Sequence, residues 1–214
     1  MTEYTTDEEK VEAIKRWWKE NGTSVIAGIV LGLAGLFGWR YWVDLGESRA
    51  EQASDIYMAV HQATRQGNVV EVRRHAETLK ADYARTPYAA MAAMELAHLE
   101  ASRGDLARSE ESLRWAIENA RSAEVEWLAR VRLGRLLVAG ERPGDALSLV
   151  QETSAPPGFE ALVEELRGDV HRAQGDYARA LQAYDRAMGA SAGGTEYLQM
   201  KRDEVAALAV GAGA

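Results

Sequence analysis

Residues 25–43 read VIAGIVLGLAGLFGWRYWV, and this run limits the chain more than any other stretch of it. From Thr23 to Trp39 there are seventeen residues without a charge. At about 1.5 Å per residue they make about 26 Å of helix. Continuing to Val43 gives about 31 Å, enough for a hydrocarbon core of about 30 Å. Arg40 lies close enough to the end for its long side chain to reach the headgroups. Trp39, Arg40, Tyr41 and Trp42 form one interfacial collar, and Trp17 and Trp18 supply another at the opposite end.

A cleaved signal peptide would need a short basic lead, an apolar core of roughly 7–15 residues and a small-x-small cleavage site. Here the lead is longer than twenty residues and mixed in charge, and Gly32 and Ala34 place small-x-small only inside the run. The run is therefore read as a retained anchor over 23–43. Its N-terminal flank carries Lys10, Lys15, Arg16 and Lys19, against Arg40 and Arg49 beyond it, where Asp44, Glu47 and Glu51 follow. The positive bias puts residues 1–22 in the cytoplasm and residues 44–209 outside it, which in a Gram-negative bacterium is the periplasm. That makes a single-pass type II inner-membrane protein. Val11, Ile14 and Trp18 form one stripe of a short amphipathic helix, and Asn21-Gly22 is expected to end it. Gly28, Gly32 and Gly35 share a face, so either another membrane helix or lipid alone meets it.

The rest of the chain repeats. RQGNVVEVRRHAETL, SRGDLARSEESLRWAI, AGERPGDALSLVQET and AQGDYARALQAYDRAM each join a turn to a helix. With Ala53, Ala90, Trp127 and Ala161 as first positions, the repeats are spaced 37, 37 and 34 residues apart. This is the tetratricopeptide pattern, in which small residues sit where two paired helices touch and stacked pairs bury what no single pair can. Gly168, Gly175-Asp176-Tyr177, Ala180, Tyr184 and Ala187 match it best. Leu133-Gly134 and Ala146 fit the third repeat, and Leu96-Ala97, Gly104-Asp105, Leu113 and Ala116 the second. The first is degenerate, with Val60, Gly67-Asn68, Ala76 and Leu79. SAGG then breaks the chain, and Thr195–Leu208 reads as a capping helix packed through Tyr197, Met200, Val205 and Leu208. Residues 210–214 are expected to fray. DLGESRAEQASDIYMAV contains no proline and is expected to run on as helix. The fold class is thus all-α: one N-terminal transmembrane helix, then a tetratricopeptide-like solenoid of about four helix pairs and a cap.

No chemistry of catalysis stands out. The chain has no cysteine, which excludes disulfides and thiolate sites. His61, His75, His98 and His171 include no pair at metal-ligand spacing, and there is no phosphate loop, dinucleotide fingerprint or nucleophile elbow. The net charge of −8 offers no basic field for nucleic acid. We therefore expect no enzyme and no cofactor. A solenoid instead offers a surface for a polypeptide. The repeat phase directs Tyr57, His61, Met91, Met94, His98, Val131, Arg135, Glu165 and Asp169 towards a groove, or, for several of them, into the packing against the next repeat.

VEAIKRWWKENG, the glycine-rich span closing in GWRYW, ASDIYMAV, and LRGDVHRAQGDYARA together resemble the ancillary SecYEG translocon subunit family over residues 8–209. The resemblance implies an accessory subunit beside the Sec translocon. It implies as partner a membrane-anchored periplasmic chaperone of the peptidyl-prolyl isomerase type, together assisting secreted client proteins as they emerge. It also implies a link to an envelope-stress phosphorelay through the cytoplasmic segment. An adaptor in envelope assembly is the alternative that the residues alone leave open. The C-terminal AALAVGAGA departs from the polar end expected of that family.

Overall fold

The computed structural model describes residues 7–151 and 155–212. Among them every regular element is a helix: α1 (Asp7–Arg65), α2 (Val69–Asp82), α3 (Pro87–Ser102), α4 (Leu106–Asn119), α5 (Ala123–Ala139), α6 (Pro143–Gln151), α7 (Glu160–Ala173), α8 (Tyr177–Ala190) and α9 (Glu196–Ala212). The chain divides into two compact units, Met1–Arg49 and Ala50–Ala214.

In the first unit the apolar run buries almost nothing. Ile26, Val30, Leu31, Leu36 and Phe37 are each more than half exposed, as are Trp39, Tyr41 and Trp42. A helix that is apolar all round and unpacked is stable in lipid, not in water, and α1 is long and apolar enough to cross a membrane. Trp17 and Trp18 stand with ring centroids 6.4 Å apart, and Trp39 and Trp42 5.8 Å apart. One helix carries both collars, separated by about 31 Å between Trp18 and Trp39, which matches the hydrocarbon thickness.

The expected stop at Asn21-Gly22 is absent: α1 passes through it without a break. Asn21 turns its side chain back on the helix, its Nδ2 donating to the Trp17 carbonyl at 3.0 Å. The Trp18 indole lies over Gly22, where an added Cβ would stand 3.3 Å from the ring. Once a helix is nucleated on both sides, one glycine costs about 1 kcal/mol and does not end it. The helix also continues through the proline-free stretch after the span, as expected.

The second unit follows the repeat phase. Ala53, Val60, Val72, Ala76 and Leu79 of the first repeat are fully buried. So are Ala90 and Ala116 of the second, Leu133 and Ala146 of the third, and Ala180, Tyr184 and Ala187 of the fourth. The end of α1 (from residue 50) shares a buried cluster with α2 and α3, while α3 pairs with α4, α5 with α6 and α7 with α8, each of these pairs also packing on the next. Three turns share one construction. Gly67, Gly104 and Gly175 take positive φ of 67°, 81° and 75°. The residue after each caps the next helix, Asn68, Asp105 and Asp176 accepting from the amides of Glu71, Arg108 and Arg179.

The third turn is the exception. Its glycine, Gly140, falls one place early with φ −86°, and Glu141 takes the left-handed position at φ 60°. Proline at the first position of α6 then starts the helix.

The cap also differs from expectation. Leu198 and Val205 are its buried residues, whereas Tyr197, Met200 and Leu208 are 56%, 60% and 42% exposed. Its rotation is set by polar partners described below, not by its most apolar stripe. Residues 210–212, expected to fray, continue the helix, and Gly213 and Ala214 lie outside the described residues.

Candidate partner-binding site

The first helices of successive repeats are placed side by side, so equivalent residues on α3 and α5 face a common hollow of about 550 Å³. Met94, Glu95 and His98 of α3 and Arg132, Arg135 and Leu136 of α5 line it. Three of the nine predicted groove residues, Met94, His98 and Arg135, are brought together here. Met94 forms its floor and is only 3% exposed. Met91 is half-buried against the same core. Tyr57 is half-buried, its ring centroid 5.7 Å from that of Tyr88.

The remaining four lie elsewhere. Val131 is 1% exposed and belongs to the core. His61 is exposed and lies with Asp55 and Met58 against a separate hollow along α1. Glu165 is 7% exposed, and both it and Asp169 are already occupied. Lys201 of α9 places its Nζ 2.7 Å from Glu165 Oε1 and 2.7 and 2.8 Å from the two Asp169 oxygens. Arg135 donates to Glu165 Oε2 at 3.0 Å, and the Tyr184 hydroxyl donates to Asp169 Oδ1 at 2.7 Å.

Lys201 also sits over the rings of Tyr184 and Tyr197. Burial opposes its charged form, yet the hydrogen bonds from its ammonium to Asp169 and Glu165 carry its pKa above the ordinary lysine value. Tyr184 is raised too, chiefly by burial and then by its bond to Asp169. Arg172–Glu204 and Arg202–Asp185, both at 2.7 Å, complete the seam between cap and stack. This cluster fastens α9 and occupies the Glu165 and Asp169 carboxylates, although Asp169 and Lys201 still line a separate hollow with Arg135 and Tyr177.

Sequence reading missed Lys201, Glu95 and Arg132. The phase itself pointed to the last two, since both are sixth in their repeats, where Leu166 stands in the fourth. Among the described residues Arg132 has no hydrogen-bond or ion-pair partner, nor does Glu95. Both act on Tyr57. Burial raises the pKa of its phenol most, Glu95 adds to the rise, and Arg132 opposes it. Among the described residues no group of three His, Asp or Glu side chains is arranged to hold a metal ion. The lining of the hollow offers apolar contact and charge to a chain segment.

The profile of a tetratricopeptide repeat-like domain matches residues 15–207. The chain belongs to that family. Its tetratricopeptide repeat-like packing is clearest at Gly134, where an added Cβ would collide with Leu166 of the next repeat, and at Gly168, where it would collide with Tyr184. The chain is similar to proteins named ancillary SecYEG translocon subunit. The one from Escherichia coli (strain K12) is 29% identical over 185 residues, 86% of this chain and 88% of the relative. That from Neisseria gonorrhoeae (strain ATCC 700825 / FA 1090) is 28% identical over 211 residues, 96% of this chain and all of the relative. That from Haemophilus influenzae (strain ATCC 51907 / DSM 11121 / KW20 / Rd) is 26% identical over 181 residues, 85% and 88% of the two chains. These relatives match along 88% or more of their own lengths.

Proposed function

We propose that the protein is a non-enzymatic accessory subunit of the Sec translocon in the bacterial inner membrane. The observation that carries this reading is the similarity, along nearly the whole chain, to proteins named for that role. The bare apolar helix between two aromatic collars supports the membrane anchor. The cluster of Lys10, Lys15, Arg16 and Lys19 supports a cytoplasmic N-terminus with the repeat stack in the periplasm. There the stack holds polypeptide segments as they emerge and works beside a membrane-anchored chaperone of the peptidyl-prolyl isomerase type. Gly28, Gly32 and Gly35 are the face on which a translocon or partner helix approaches, since a Cβ at any of them meets nothing within 4 Å in this chain.

The test is site-specific photocrosslinking in cells from Gly28, Gly32, Met91 and His98. The membrane positions are expected to capture a translocon subunit, and the stack positions secretory polypeptide or the chaperone. Capture of none of these, with the protein inserted normally, overturns the reading. Protease added to spheroplasts is expected to digest the stack, and full protection of the stack would reverse the orientation.

A further inference from the structure

The concave hollow between α3 and α5 is not chemically neutral. Two arginines line it, and only one is engaged. Arg135 is held by Glu165 at 3.0 Å, while the guanidinium of Arg132 projects into the same hollow half-buried and without an ion partner among the described residues. A half-buried guanidinium loses part of its hydration, and a bound carboxylate restores what it lost through paired hydrogen bonds. Its surroundings also define the rest of the ligand. Met94 floors the hollow and Met91 lies one turn away along α3, a pair of flexible thioethers suited to varied apolar side chains. Glu95 lines the same hollow and is equally without a partner. It repels a second negative charge, so a uniformly acidic stretch is disfavoured.

We infer that this hollow selects extended polypeptide segments that carry a single acidic side chain flanked by apolar residues, the carboxylate docking on Arg132 and the apolar neighbours on Met91 and Met94. The inference rests on the reading of the stack as a polypeptide-binding surface and specifies what that surface prefers.

The test uses the full chain in detergent micelles and short fluorescent peptides of alternating leucine and serine. One has a central glutamate and an amidated end. A second has glutamine in its place and an amidated end. A third has the glutamine and a free terminal carboxylate. The glutamate peptide is expected to bind about tenfold tighter than its glutamine counterpart, the size of one charge-assisted contact. Arg132→Gln is expected to remove that advantage with unchanged thermal melting, and Arg132→Lys to keep part of it. Glu95→Gln is expected to strengthen binding of a peptide with two adjacent glutamates, an effect that does not depend on the Arg132 variants folding.

Equal binding of the glutamate and glutamine amides overturns the inference while leaving the polypeptide-binding reading intact. So does an advantage that survives Arg132→Gln. An advantage confined to the free-carboxylate peptide overturns it in favour of chain ends, and failure of Glu95→Gln to help the doubly acidic peptide removes the role given to Glu95. Binding of no peptide at all overturns the polypeptide-binding reading itself.

Discussion

Gly168 lies against the ring of Tyr184, so closely that a Cβ added at 168 would stand 2.6 Å from Cε1 and 2.7 Å from Cδ1. The ring cannot yield easily, because it is fully buried and its hydroxyl donates to Asp169 at 2.7 Å. This contact is what brings α7 and α8 together.

Gly168→Ala is accordingly expected to destabilise. Overpacking costs about 1–3 kcal/mol, and the better helix propensity of alanine returns about 1 kcal/mol. A net loss of up to about 2 kcal/mol should appear in thermal unfolding followed by circular dichroism. Combined with Tyr184→Leu, which removes the rigid ring, the loss should be less than additive. Strict additivity would mean that the two residues do not share the contact.

Lys201→Met should loosen the cap. Removing the ammonium leaves Asp169, whose side chain is 15% exposed, with only the Tyr184 hydroxyl. Breaking one partner of a buried ion cluster costs about 3 kcal/mol. Hydrogen exchange in α9 should accelerate far more than in α3 or α5, because Arg135 still serves Glu165. Uniform acceleration across the stack would contradict a local fastening role.

The same cluster implies a loss of stability in alkali. Lys201 and Tyr184 both have raised pKa values in the folded state, so the folded chain binds more protons than the unfolded one. Their contribution is complete below the ordinary lysine and tyrosine values of about 10, and disappears as pH rises through the raised ones. Proteolysis at the SAGG linker and within α9 should therefore increase above about pH 10 before the remaining stack melts. Lys201→Met should flatten that dependence.

Glu141 offers a stabilising change. It holds φ 60° at the place where the other three turns have Gly67, Gly104 and Gly175. Left-handed backbone costs a non-glycine residue about 1–2 kcal/mol, and glycine returns part of that through greater freedom when unfolded. Glu141→Gly should raise stability by about 0.5–1 kcal/mol, read as a higher denaturant midpoint at unchanged slope. A lower midpoint would show that the glutamate side chain supports the turn.

The repeat phase was legible because helical packing is periodic. Once Ala53, Ala90, Trp127 and Ala161 are aligned, Ala76, Ala116, Ala180 and Tyr184 follow as core, and all are buried. The membrane helix was legible for a simpler reason: nothing else in the chain is apolar over a comparable length.

Local signals misled where a non-local term outweighed them. At Asn21-Gly22 helix propagation and the covering Trp18 ring outweighed the usual stop. In α9, Leu198 and Val205 turn inward because Lys201 must reach Glu165 and Asp169, more than thirty residues earlier in the chain. That pairing has no counterpart in the spacing of α9 alone.

The sequence by itself determined a helical chain with one apolar span and a phased stack, since hydrophobic period and length are local quantities. Only the tertiary structure decided which charges are taken and which are left. Ion pairing depends on distances between separate helices, so Glu165, Asp169 and Arg135 fell to the cap and the stack's own cohesion, and Arg132 remained open to the groove.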